Sequence, residues 1–139
     1  MRFWDSSGIL PLLVTEGGTK GRKSFLQADH LMAVWWGSRV ECASALNRLQ
    51  RADALGKDGL VQALGDLEML AASWFEIQPS EQVRTRALRL LRVHPLRAAD
   101  ALQLAAALVA AGEDPAGLVF VTSDDRLQEA AAKEGFMVV

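Results

Sequence analysis

Asp5, Glu41, Asp100 and Asp124 are the residues whose types and placement could do chemistry together. Asp5 directly follows the short apolar run Arg2-Phe3-Trp4, and Asp124 follows Leu118-Val119-Phe120-Val121; both runs read as strands. Glu41 and Asp100 fall in the first turns of helical stretches. In a parallel sheet, the carboxyl ends of strands and the first turns of the helices after them share one rim, where ligands bind. Singly, each acid has a structural explanation. Asp is a preferred N-cap, so Asp5 suits the helix after it, and Asp124 or Asp125 suits the last helix. Asp125 with Gln128 also resembles a capping box. Glu41 and Asp100 favour the positive ends of their helices.

Asp100 weakens the purely structural explanation. It precedes Ala-Leu-Gln-Leu-Ala-Ala-Ala-Leu-Val-Ala at 101–110, a helix apolar on most sides, with Leu104 and Ala107 on the stripe of Asp100 itself. A carboxylate among apolar groups is costly unless a cation or hydrogen bonds compensate it. Several carboxylates close together repel, and a bound cation relieves them. All-oxygen ligation selects hard ions such as Mg2+ or Mn2+. His30 and His94 fit no metal spacing and read as structural or surface residues.

The elements that must position these acids alternate along the chain. Phe3 and its neighbours open as a strand, and Gly8 to Val14 continues as a helix. Thr15 to Gly21, with three glycines in five residues, reads as a loop. Leu31 to Trp35 is a second short strand, followed by a helix that Ser38 would cap and that carries Val40, Ala43, Leu46 and Leu49 at helical spacing. Helices are expected over Leu60 to Trp74, from Ser80 to His94, over Arg97 to Ala111 and over Leu127 to Lys133. Strands are expected at Phe75-Glu76-Ile77, Leu118 to Val121 and Phe136 to Val139. The expected fold is α/β: a central parallel sheet of short strands flanked by helices in three layers, as one domain over 1–139.

Composition excludes several classes. Half of the 139 residues are hydrophobic, enough for a core without staples. Cys42 is the single cysteine, so neither an internal disulfide nor a thiolate metal site is available, and a reducing cytoplasm is the expected compartment. No run of about 20 apolar residues predicts a membrane span. The apolar N-terminal stretch is interrupted by Asp5 and reads as part of the fold rather than as a signal peptide. Net charge is −2, from 15 basic and 17 acidic residues; with four acids neutralised by a cation, 15 bases face 13 acids. That mildly basic remainder permits a nucleic-acid substrate. The stretch Gly17 to Ser24 imitates a phosphate loop, but Glu16, Arg22 and Lys23 occupy the positions that would need glycine, lysine and a hydroxyl residue. No GxGxxG is present, and Ser7 stands where an aspartyl-phosphate phosphatase would place its second acid.

Four segments, Phe3-Trp4-Asp5-Ser6-Ser7, Arg39 to Leu46, Leu96 to Ala105 and Val121 to Leu127, together resemble the PIN-domain family. Within it the chain is most similar to VapC-type toxins of toxin–antitoxin pairs, from Arg2 to the C-terminus. The resemblance implies a magnesium-dependent endoribonuclease that leaves a 5′-phosphate and a 3′-hydroxyl. Asp5, Glu41 and Asp100 match the family's core acids and Asp124 its more variable fourth, with Asp125 adjacent. Ser7 matches a small hydroxyl residue beside the first acid, and Thr122 and Ser123 could orient the fourth, supporting carboxylates rather than touching metal. The resemblance also implies an antitoxin partner and a homodimer. The alternatives are a PIN-like nuclease that processes RNA or acts on DNA, and a catalytically silent module binding RNA or protein.

Two basic clusters are candidate RNA contacts: Lys20, Arg22 and Lys23 after the glycine-rich loop, and Arg86 with Arg89 on one helix. A solvated helix face explains the second equally well. Of Trp35 and Trp36, one ring is expected in the core and the other partly exposed. Leu12, Leu13, Leu64, Leu67 and Leu70 read as core, with some available to a partner surface.

Overall fold

The computed structural model describes residues 1–15 and 18–139. Strand β1 (Arg2–Trp4) leads into helices α1 (Ser6–Leu13) and α2 (Thr19–Ala28), then β2 (Met32–Trp35), α3 (Ser38–Arg51) and α4 (Lys57–Ala71). Next come β3 (Phe75–Ile77), α5 (Glu81–Val93), α6 (Ala98–Ala110), a 3-10 turn at Pro115–Gly117, β4 (Val119–Val121), α7 (Asp125–Lys133) and β5 (Met137–Val138). The strands form one parallel sheet in the order β3-β2-β1-β4-β5. Chain order reverses between β1 and β4, which makes the crevice beyond their carboxyl ends the topological switch point.

Strands this short cannot hold a sheet by their ladders alone; the two cores around them do. Side chains of successive strand residues alternate between faces. Phe3, Ala33, Trp35 and Phe120 pack against α5, α6 and α7, and the Phe3 and Phe120 rings stack 5.4 Å apart. Trp4, Met32, Val34 and Val121 pack on the opposite face with Ile9 of α1, Cys42 and Leu46 of α3, and Ala63 and Leu67 of α4. Each large side chain so buried contributes roughly 1.5–3 kcal/mol. The result is the expected three-layer α/β architecture, built on the expected strands. Trp35 is buried while Trp36 is half exposed, and Leu13 and Leu67 are buried with Leu12, Leu64 and Leu70 packed at the margin.

Two local expectations need correction, and one open alternative is resolved. Part of the loop expected over Thr15 to Gly21, including Glu16 and Gly17, lies outside the described residues, but Thr19 already begins α2. That helix carries few apolar residues; Phe25 and Leu26 dock it on the second core, and Arg22 lies over the Phe25 ring at 5.8 Å. Tertiary contact thus overrides weak local preference. Ser38 does not cap α3; Gly37 occupies the N-cap, and the Ser38 hydroxyl turns inward to Gln103. Asp124, not Asp125, caps α7, accepting from the Leu127 amide at 2.9 Å.

Candidate active site

Asp5 joins β1 to α1 at the switch point. Its amide donates to the Val121 carbonyl at 3.1 Å, which ties the end of β1 to the end of β4. Gly8, one turn into α1, packs so closely there that a Cβ would stand 2.5 Å from the same carbonyl oxygen. Asp5 is 4 % exposed, and its carboxylate accepts from the Gly8 amide at 3.0 Å, the Ser7 amide at 3.2 Å and the Ser7 hydroxyl at 3.0 Å. Burial is the dominant influence and pushes its pKa up to about 6, against the pull of those donors.

Ser7 is the junction between β1 and β4. Because its hydroxyl donates to Asp5, it accepts from the Thr122 hydroxyl at 3.1 Å and from the Ser123 amide at 2.8 Å. Thr122 Oγ1 in turn accepts from the Asp124 amide at 3.0 Å. A continuous chain of donors therefore runs from the Asp124 backbone through Thr122 and Ser7 to the Asp5 carboxylate. Ser123 does not reach the Asp124 side chain; its hydroxyl meets Arg22 Nη2 at 3.0 Å.

Glu41 is held from two other elements. Its Oε2 accepts from the Ser6 hydroxyl at 2.5 Å and from Gln103 Nε2 at 2.7 Å. The same Gln103 amide lies 2.8 Å from Ser6 Oγ and 3.0 Å from Ser38 Oγ. Among the described residues no donor reaches Glu41 Oε1, so the carboxylate is anchored by one oxygen and presents the other. Gln103 is 2 % exposed on α6, one turn after Asp100. Sequence reasoning overlooked it, although a lone amide within the apolar run 101–110 is the signal that would have found it.

Asp100 and Asp124 open onto a polar cavity of about 670 Å3, lined also by Arg48, Arg97, Asp125 and Arg126. Burial first, then the neighbouring Asp124 carboxylate, raise the Asp100 pKa, and Arg97 and Arg126 partly offset them. Asp5 and Glu41 act together on Cys42 behind them; burial, and then those two charges, push its thiol up to about 12. Cys42 is therefore inert as a nucleophile at neutral pH. Among the described residues, no three His, Cys, Asp or Glu side chains form a ready-made metal cluster. Asp5, Glu41 and Asp124 each commit oxygens to internal donors. The donor set still suits a hard cation: it is all carboxylate, and the Asp124 charge adds to burial in raising the Asp100 pKa.

The expected RNA contacts separate. Lys20 and Lys23 are exposed on α2. Arg22 reaches the site but donates to the Thr122 carbonyl at 2.5 Å. Arg86 and Arg89 are paired with Glu113 and Glu134 at the carboxyl-terminal ends of α6 and α7, whereas the acids stand at the amino-terminal ends. The length of α7, roughly 14 Å at 1.5 Å per residue, lies between.

No protein-family model matches the chain. It is 32 % identical to "Ribonuclease VapC45" and to "Ribonuclease VapC49", each from a strain of Mycobacterium tuberculosis, across 98 % of this chain and 92 % of each relative. Among solved structures it resembles a toxin–antitoxin complex from Klebsiella pneumoniae, with a TM-score of 0.69 at 16 % identity, covering 100 % of this chain and 96 % of that one. PAE2754 from Pyrobaculum aerophilum is similar at the same TM-score and 19 % identity, covering 99 % of this chain and 88 % of that one. The solved structures carry the fold, and the two ribonucleases, similar across nearly the whole length, establish that this chain belongs to the VapC ribonuclease family.

Proposed function

We infer that this chain is a toxin endoribonuclease, a single domain that hydrolyses RNA phosphodiester bonds with a divalent cation, Mg2+ or Mn2+, and is restrained by a cognate antitoxin. The observation carrying this reading is the placement of Asp5 and Asp124 just after β1 and β4, and of Glu41 and Asp100 in the first turns of α3 and α6, in a member of the VapC ribonuclease family.

Those four acids are the residues that would hold the ion. Such an ion, when bound, supplies Lewis-acid activation of water and offsets charge developing on the phosphate and the leaving oxygen. The rest of the chemistry belongs to the chain. Ser7 and the amides of Ser7 and Gly8 fix Asp5, Ser6 and Gln103 fix Glu41, and the start of α7 fixes Asp124. Holding carboxylates before the reaction removes their reorganisation from the barrier. No side-chain nucleophile is required. The antitoxin partner is the reading supported by the toxin–antitoxin complex among the fold's neighbours. Homodimerisation and a cytoplasmic location complete it; no described helix is long and apolar enough to cross a membrane.

The experiment is cleavage of a panel of structured and single-stranded RNAs with Mg2+, Mn2+ or EDTA, wild type beside Asp5→Asn and Asp100→Asn. Cutting that EDTA and both substitutions abolish is the expected result. A wild type that cuts no RNA, or folded variants that cut equally well, would remove the nuclease reading and leave a silent binding module.

A further inference from the structure

We propose that Arg48, Arg97 and Arg126 form a phosphate-binding subsite that seats the backbone of a single RNA strand in the cavity beside Asp100 and Asp124. The proposal rests on the nuclease reading above and adds the residues that hold the substrate.

The arginines of this chain sort by what they already hold. Arg39, Arg84, Arg86 and Arg89 are paired with Glu68, Glu81, Glu113 and Glu134. Arg2 and Arg22 donate to the carbonyls of Phe25 and Thr122. Arg48, Arg97 and Arg126 line the acidic cavity, yet among the described residues none of their guanidinium groups closes a hydrogen bond or ion pair. Arg51 and Arg92 are likewise unpaired, but neither lines this cavity. A guanidinium already bidentate to a carboxylate must give up that partner before it can take a phosphate. The three cavity arginines keep their donors available, and a free guanidinium fork matches phosphate oxygens.

Their placement also fits a strand passing over the acids. They come from three elements: α3, the residue that opens α6, and the first turn of α7. Arg48 stands seven residues along α3 from Glu41, roughly 10 Å at 1.5 Å per residue, so it addresses a phosphate flanking the one at the acids. Arg97 and Arg126 are close enough for their charge to act on Asp100. Three arginines face three carboxylates, Asp100, Asp124 and Asp125, so the cavity is formally balanced. A cation on the acids would tip it positive, which favours a polyanion. A single strand suits the site because the arginines ring one cavity rather than forming a long basic stripe.

The test is fluorescence anisotropy of a fluorescein-labelled single-stranded RNA of mixed sequence, in EDTA to block cleavage, across a series of salt concentrations. Wild type is compared with Arg48→Ala, Arg97→Ala, Arg126→Ala, the triple variant, and the controls Arg86→Ala and Arg92→Ala. Each cavity variant should weaken binding several-fold, and the triple variant should lower the slope of log affinity against log salt by about 2, at roughly 0.7 per phosphate contact for single strands. The controls should bind as wild type, and in Mg2+ the cavity variants should raise KM more than they lower kcat. If wild type cuts RNA while the folded triple variant keeps its affinity and salt slope, the subsite is wrong and the nuclease reading stands. The subsite also falls if wild type cuts in Mg2+ and the folded triple variant cuts with an unchanged KM. A wild type that neither cuts nor binds RNA overturns both.

Discussion

Gln103 Nε2 lies 2.7 Å from Glu41 Oε2, linking the helix that carries Asp100 to the carboxylate of α3. The same amide meets the hydroxyls of Ser6 and Ser38, so one buried side chain sets the spacing of α1, α3 and α6 around the site. Replacing Gln103 with Leu keeps its volume but leaves these partners short of a donor, at about 1–3 kcal/mol. Gln103→Glu is expected to be worse, because it sets a second carboxylate against Glu41. Urea unfolding should show Leu losing about 2 kcal/mol, and single-turnover RNA cleavage at a temperature where it is folded should show a fall in rate. A Leu variant as stable and as active as wild type would refute the positioning role.

Asp5 sets stability against function. Its carboxyl is raised from 3.8 to about 6 by burial, so the folded, metal-free protein binds that proton more tightly than the unfolded chain does. Stability contributed at this position is therefore greatest below about pH 3.8 and is lost as pH rises through 6, by roughly 2–3 kcal/mol. Asp5→Asn keeps an acceptor for the Gly8 and Ser7 amides and carries no charge. Thermal melts in EDTA should find Asp5→Asn at least as stable as wild type at pH 7, with the advantage gone near pH 4, while RNA cleavage is lost. A variant less stable than wild type at pH 7 would show that the charge itself holds α1 in place.

The parts of this fold legible in the sequence are those where one interaction dominates. The strand runs Phe3-Trp4, Met32 to Trp35 and Val119 to Val121 are apolar on both faces, and the sheet is buried on both faces. Asp5 and Asp124 were legible from their positions after strands, as both caps and candidate ligands. What remained hidden depends on distant partners. Helix α2 is polar and contains Gly21; docking of Phe25 and Leu26, and bonds of Arg2 to Phe25 and of Arg22 to Thr122, secure it. Ser38 looks like a cap until Gln103, 65 residues away in the chain, claims its hydroxyl. Arg86 and Arg89 read as free basic groups because nothing local reveals Glu113 and Glu134 as their partners.

Glu134 supplies a pH dependence separate from the acids at the opposite rim. Burial pushes its carboxyl up, but the bonds from Arg89 at 2.6 Å and His94 at 2.7 Å together outweigh it and hold the pKa below 4.5. A depressed carboxyl contributes stability that is present above the unfolded value and is lost as pH falls through the folded one. Glu134→Gln should therefore cost about 1 kcal/mol at neutral pH, with the difference from wild type shrinking below pH 4.5. RNA cleavage by the folded variant should be unchanged. Chemical unfolding at several pH values would check this, and a constant difference down to strongly acid pH would show that the contribution is packing rather than charge.

Gly8 links the closeness of two elements to the geometry of the site. A methyl group there would stand 2.5 Å from the Val121 carbonyl oxygen, which is backbone and cannot rotate away. That carbonyl also accepts the Asp5 amide, so any shift that relieves the contact moves the end of β4 away from the start of α1. The donor chain from Asp124 through Thr122 and Ser7 to Asp5 spans that seam. Gly8→Ala improves intrinsic helix propensity by roughly 1 kcal/mol, while overpacking at a backbone contact costs about 1–3 kcal/mol. The clash should win, leaving a variant modestly less stable by urea unfolding. Cleavage should suffer more than stability, since a displacement on the order of 1 Å at a catalytic group costs about a hundredfold in rate. A Gly8→Ala protein with wild-type cleavage would mean that α1 and β4 need not touch for the acids to work together.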